Sequence, residues 1–278
     1  MKIRLFNLIV SLICTLINSI LHIVFKFNLF ESAFLSFCTI FILSFLVFFI
    51  LFEILYWIFS IFVALSCNNK KQYKKLSRFY TWFMYSWYDY FLHFMRTKIE
   101  VSGLENFPFN KRFLLVCNHR SNFDNMVICS VIKKDYICYI SKPENFRIPF
   151  AGRIANRAMY LSMPKDDNRE ALKVILKSID YIKNDEMSIG VFPEGTRSKT
   201  GEILEFKPGC FKIAEKAECP IVVITLDGTE KIYKNFPFHK TVIKMDILKV
   251  YSSEDVKNYK TVELSDEIRN LMIKHFDK

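Results

Sequence analysis

Asn118, His119 and Asp124 stand together where an apolar run ends, in Phe113 to Asp124 (FLLVCNHRSNFD). An imidazole and a carboxylate at this spacing, at the end of one strand and the start of the next helix, are two of the three parts of a serine-hydrolase triad. His119 would act as base, and Asp124, on the first turn of that helix, would fix the ring's tautomer and support a positive imidazolium. A protein nucleophile is missing, since the G-x-S-x-G elbow that would activate a serine such as Ser121 is absent. The nucleophile would then be a substrate hydroxyl. Chance alone produces such a His-x4-Asp about 0.2 times in a chain of this composition, so the pair needs company.

A second stretch supplies it. Val191 to Lys207 reads VFPEGTRSKTGEILEFK: a strand ends in Phe192 and is followed by Pro193-Glu194-Gly195-Thr196-Arg197. Gly195 would let backbone N–H groups approach a ligand, Thr196 adds a hydroxyl, and Arg197 suits bidentate phosphate recognition. Read alone, the stretch is equally a turn with a surface arginine.

The elements that must position these residues follow from the pattern between Lys98 and the carboxyl terminus. Apolar runs at Lys98 to Val101, Arg112 to Cys117, Tyr136 to Ile140, Met159 to Ser162, Met187 to Phe192, Ile221 to Leu226 and Thr241 to Val250 predict seven strands. Asp167 to Lys183 predicts a helix, with Ala171, Leu172, Ile175, Ile179 and Ile182 on one face and Asp166 or Asp167 as its cap. A further helix is expected from Val262 to Phe276. The alternation implies an α/β domain, a mostly parallel sheet flanked by helices, over residues 98–278. In open sheets of this kind the crevice outside the carboxyl ends of the strands holds the chemistry.

Residues 1–67 read differently, as an amino-terminal hydrophobic helical membrane anchor. Leu5 to Phe25 is apolar except for a stripe of Asn7, Ser11, Thr15, Asn18 and His22, which would face a neighbouring helix or the headgroups. Ser32 to Phe52 has no charge and is long enough to span a bilayer, and after Glu53 the chain continues uncharged from Ile54 to Cys67. Lys2 and Arg4 before this region, and Lys70, Lys71, Lys74, Lys75 and Arg78 after it, predict a cell-membrane protein whose catalytic domain faces the cytoplasm. Residues 68–97 alternate aromatic and basic side chains. They predict a helix that either lies along the membrane surface or covers the globular domain.

The net charge of +11 suits an anionic membrane or a phosphorylated substrate. Aromatic and basic interleaving also occurs in nucleic-acid binders, but here it abuts membrane segments, and no nucleic-acid partner is expected. The 8 cysteines include no C-x-x-C pair and lie mostly in apolar runs, as small core or membrane residues in a reducing compartment. No Cys/His cluster has metal-ligand spacing, so no metal is expected.

Taken together and in this order, NHRSNFD and FPEGTRS resemble the lysophosphatidic acid acyltransferase family, the 1-acylglycerol-3-phosphate acyltransferases and their glycerophosphate acyltransferase relatives. The resemblance runs from about Ile99 to Thr229 and includes Ile99 to Asn106, Ser141-Lys142, Ile148-Pro149-Phe150-Ala151-Gly152, Phe206-Lys207-Pro208-Gly209 and Cys219-Pro220-Ile221-Val222. It implies His119 as general base, Asp124 as its orienting partner, and Glu194, Gly195, Thr196 and Arg197 as ligands of the glycerophosphate acceptor. The family's second block carries a phosphate-binding arginine. Its position falls on Lys165, after Pro164, or in another alignment on Met163. Val223 stands where a second proline is common. Lys142, Lys165 and Lys207 join Arg197 as candidates for the phosphate.

The implied reaction is transfer of a fatty acyl chain from a thioester, carried by coenzyme A or acyl carrier protein as co-substrate, to the hydroxyl of 1-acyl-glycerol 3-phosphate. The product is phosphatidic acid. Glycerol 3-phosphate or another lysophospholipid as acceptor, a hydrolase in which the pair activates water, and a lipid-binding protein without turnover are the competing readings.

Overall fold

Short apolar runs bounded by Gly, Pro and polar residues become strands here, and amphipathic stretches with caps become helices. A computed structural model describes residues 2–24, 33–68, 71, 73–164 and 167–277. The chain divides into two compact units, Met1–Cys67 and Asn68–Lys278.

In the first unit α1 (Lys2–Val24) packs against α2 (Ala33–Leu65). The polar stripe of α1 faces its partner: Asn7 donates to Glu53 Oε1 at 3.3 Å and Asn18 to Ser44 Oγ at 2.7 Å, while Ser11 and Thr15 are buried. The side chain of His22 lies outside the described residues. The helix α2 runs through Glu53 without a break, and Asn7 supplies a donor to that carboxylate. Among the described residues, Leu35–Leu65 is the one helical stretch long and apolar enough to cross a membrane; Leu5–Leu21 is a shorter apolar helix.

The second unit begins with α3 (Arg78–Phe94) and continues as β1 (Thr97–Ser102), β2 (Leu114–Cys117), α4 (Asp124–Val131), β3 (Ile137–Ser141), α5 (Ala151–Arg157), β4 (Leu161–Ser162), α6 (Asn168–Lys183) and β5 (Ser188–Val191). It ends with α7 (Lys212–Ala217), β6 (Ile221–Asp227), α8 (Ile232–Asn235), β7 (Thr241–Tyr251), α9 (Ser253–Lys257) and α10 (Thr261–Phe276). All seven expected strands are present. They form one sheet in the order β1-β7-β6-β2-β5-β3-β4, parallel throughout except where β7 runs antiparallel to β6. Strands β2, β5 and β6 are buried along most of their length, as unbroken apolar runs in a parallel sheet must be.

Asp167 caps α6, its side chain accepting from the N–H groups of Arg169 and Glu170 at 3.0 Å each. The aromatic helix α3 covers the globular domain, burying Phe83, Met84, Tyr85, Tyr88, Tyr90 and Leu92. The Tyr85 hydroxyl accepts from Ile137 N at 3.0 Å at the start of β3 and donates to Asp135 O at 3.3 Å. Its outer side keeps Phe79 and Trp82 exposed. Five of the cysteines are buried, and the eight are free.

Candidate active site

Three parallel strands bring the chemistry to one edge. Cys117 of β2 is in register with Ile224 of β6, and Val116 with Val191 of β5. The segments that leave these strands at their carboxyl ends therefore start about 5 Å apart. They carry His119, the Glu194–Arg197 turn and Thr229.

Asn118 continues the β2–β6 ladder past the end of β2. Its side chain donates to Leu226 O at 3.0 Å and accepts from Leu226 N at 2.8 Å, which substitutes a side chain for a rung. The chain then turns, and His119 presents its ring with 22% of the side chain exposed. Nδ1 lies 2.8 Å from Oδ2 of Asp124, which is fully buried.

That oxygen also accepts from Arg120 N at 2.7 Å and Ser121 N at 2.9 Å, and Oδ1 accepts from the Thr229 hydroxyl at 2.5 Å. An ionised carboxylate can accept all four of these contacts. Nδ1 of His119 then carries the proton, and Nε2 keeps its lone pair; Nε2 has no protein partner among the described residues. Phe192 stacks on the imidazole at 4.2 Å and 16°, and Tyr139 stacks on Phe192 at 5.6 Å. Gly190 makes the Tyr139 position possible, because a Cβ there would come within 2.5 Å of the ring.

Glu194 turns inward. One oxygen accepts from His119 N at 2.7 Å and the other from Leu204 N at 3.2 Å, so it braces the catalytic loop against the next turn. Burial pushes its carboxyl above the ordinary range, and the two N–H donors pull the other way. The His119 carbonyl in turn accepts from Ser198 N at 2.8 Å.

The other predicted phosphate ligands lie on the outside of the same edge. Gly195 sits at φ 65°, where a side chain is strained, and the end of Lys207 runs over it, with Nζ 3.2 Å from where a Cβ would stand. Thr196, Arg197 and Lys207 are exposed, and Arg197 has no protein partner among the described residues. Lys142 follows β3, two strands or on the order of 10 Å from β2, and is also exposed. Lys165 lies outside the described residues. Met163 donates its N–H to Ser141 O at 2.9 Å and packs against the core.

Sequence reasoning missed Thr229, Arg120 and Phe192 here, and singled out Asn118 without its role. Thr229 and Asn118 act through partners more than a hundred positions away, which nothing local marks. Arg120 bridges Asp227 at 2.8 Å and the Gly201 carbonyl at 3.0 Å, and its guanidinium lies 4.6 Å from the Phe276 ring centre. Phe192 was legible only as a strand end. Beside the site, an apolar pocket opens between α3, α4 and α5, lined by Met84, Trp87, Tyr88, Met126, Ala151 and Ile154 among others. Among the described residues no group of three His, Cys, Asp or Glu side chains could hold a metal.

A family model described as acyltransferase matches residues 98–227. A 1-acyl-sn-glycerol-3-phosphate acyltransferase from Saccharomyces cerevisiae is 27% identical over 180 residues, 63% of this chain and 58% of that one. The chloroplastic 1-acyl-sn-glycerol-3-phosphate acyltransferase BAT2 from Brassica napus is 32% identical over 174 residues, 62% of this chain and 49% of that one. The chain thus spans about half to three-fifths of the length of these two relatives. The crystal structure of the 1-acyl-sn-glycerophosphate acyltransferase PlsC from Thermotoga maritima has the same fold, with a TM-score of 0.59 at 22% identity over 71% of this chain and 78% of that one.

Proposed function

We propose that this chain is an acyltransferase of the kind that includes the 1-acyl-sn-glycerol-3-phosphate acyltransferases, and that it transfers a fatty acyl chain from a thioester to the free hydroxyl of a lysophosphatidic acid. The product is phosphatidic acid. The observation that carries this reading is the 2.8 Å contact between His119 Nδ1 and a buried Asp124 that also accepts from two backbone N–H groups and meets the Thr229 hydroxyl. Such an arrangement leaves a basic Nε2 facing outward, with no protein nucleophile beside it.

The acceptor hydroxyl gives its proton to Nε2 as its oxygen attacks the thioester carbonyl. The tetrahedral intermediate then expels the thiolate, which takes the proton back. Asp124 stabilises the imidazolium formed between these steps. General-base action of this kind is worth about 10² to 10⁴ in rate, and holding two substrates together supplies roughly 7 to 11 kcal/mol more.

Arg197 and Lys207, with backbone N–H groups around Gly195, bind the acceptor phosphate, and Lys142 adds charge at the rim. Glu194 positions the loop. The donor is a coenzyme A or acyl carrier protein thioester, and no metal takes part. The anchor holds the enzyme at the cell membrane with the catalytic unit in the cytoplasm.

The test is acyl transfer by purified, detergent-solubilised protein given oleoyl-CoA and lysophosphatidic acid, beside His119→Ala and a lysophosphatidylcholine control. Phosphatidic acid from wild type alone, with little transfer to the choline lipid, supports the reading. Equal rates for wild type and variant would sink the His119 mechanism, and free fatty acid as the main product would make the protein a hydrolase.

A further inference from the structure

The segment from β6 to β7 carries aromatic side chains that the fold leaves largely exposed. Tyr233 is 66% exposed and Phe238 81%, the latter beside exposed Pro237. Isolated apolar side chains at a surface are ordinary. These are not isolated, and the loop that presents them is tightly held. Arg96 donates to Pro237 O at 2.8 Å and Phe238 O at 3.3 Å, His239 N donates to Asn235 O at 2.7 Å, and Asn235 Nδ2 donates to Thr241 Oγ1 at 3.0 Å. Phe236 packs on Phe94 of α3 at 5.2 Å, and Phe94 is itself 39% exposed.

Charge along residues 231–240 has one sign, the neighbouring Glu230 being paired with Arg120 at 3.9 Å. Lys231, Lys234, His239 and Lys240 lie between positions 231 and 240, all exposed, and that stretch has no acid. Its root is the catalytic centre: Thr229 donates to Asp124, and Tyr233 packs on Phe123, the residue before Asp124, at 4.7 Å.

We infer that this rim, Phe94, Tyr233 and Phe238 among Lys231, Lys234 and Lys240, is a docking surface for an anionic lipid bilayer. Aromatic side chains prefer the headgroup level, and lysines beside them gain from anionic lipid, three being worth a factor on the order of 10² in binding. A lipid surface is favoured over a protein because the same chain carries a helix able to cross a bilayer. The placement at the mouth of the site gains its purpose from the acyl-transfer reading, in which the acceptor is a lipid.

The test places a tryptophan at the tip in the full-length chain. Phe238→Trp, reconstituted in nanodiscs containing anionic lipid, is read by its fluorescence difference from wild type with lipids brominated near the headgroup end of the chains. Quenching of the added signal by about twofold or more, weakened when Lys231, Lys234 and Lys240 are changed to Gln or when the lipid is neutral, is the result expected. An added signal that stays water-like and unquenched, while Trp57 of α2 is quenched in the same discs, overturns the proposal, as would quenching indifferent to the lysines and to lipid charge. Quenching needs no turnover, so a failure of acyl transfer would leave this result standing.

Discussion

Asp124→Asn offers a sharp test of how the base is held. Oδ2 of Asp124 meets three N–H donors at 2.7 to 2.9 Å, whereas Oδ1 meets only the Thr229 hydroxyl. An asparagine must put its amide oxygen at the three-donor position, because its NH₂ there would face N–H groups. The NH₂ then points at Thr229, whose hydroxyl rotates from donor to acceptor.

Position and tautomer of His119 therefore survive, and what is lost is the charge opposite the imidazolium. At about 4 Å between charge centres and an effective dielectric near 20 that interaction is about 4 kcal/mol, of which the amide dipole recovers part. The expected loss in kcat is about 10² to 10³. Initial rates at saturating oleoyl-CoA and lysophosphatidic acid measure it, with circular dichroism and a melting curve to confirm the fold. Adding Thr229→Val strips the NH₂ of its acceptor and should lower stability by a further 1 to 3 kcal/mol or so. A wild-type rate for Asp124→Asn would show that the charge is not used. A loss of about 10⁴, the size expected when a triad histidine takes the wrong tautomer, would show that the amide oxygen does not occupy the three-donor position.

Two further outcomes are expected. Arg197→Ala raises KM for the phosphate-bearing acceptor about 10- to 100-fold while KM for the acyl donor stays within a factor of about two, since charged hydrogen bonds are worth roughly 1.5 to 3 kcal/mol; steady-state kinetics with each substrate varied in turn would expose an equal effect on both. Glu194→Gln sets an NH₂ against one of two backbone donors and costs about 1 to 3 kcal/mol, read by urea unfolding. Burial raises the Glu194 carboxyl above 4.5, so the folded chain holds this proton longer than the unfolded chain. The stability it contributes is full at the acid end and falls as pH rises, and the gap between wild type and Glu194→Gln narrows from pH 4.5 upward.

The strands were readable because a parallel sheet buried on both faces demands apolar runs, and β2, β5 and β6 are such runs. Asp167 was readable as a cap because capping is local. The antiparallel placing of β7 between β6 and β1 was not, since strand order is set by packing across the whole sheet. At the site, His119 and Asp124 announce themselves by type and spacing, five positions apart. Glu194 carries no mark that separates a phosphate ligand from a brace; only its contacts with His119 N and Leu204 N tell which way it points. The aromatic residues between Arg78 and Phe94 gave no choice between lipid and domain, because both reward apolar area. Tyr85, bonded to Ile137 N, decides it for the inner side of the helix.

The Asn118 clamp has a consequence for when the enzyme becomes an enzyme. His119 is made early, yet the residue that Asn118 grips, Leu226, comes 108 positions later, and Thr229 follows it. A nascent chain growing from its amino terminus thus carries the imidazole through more than a hundred further residues of synthesis without the far partners that complete its geometry. Closing so long a loop is slow. No fragment ending before Thr229 can hold the base as the finished protein does, and the capacity to react appears only when the far strand has joined the sheet.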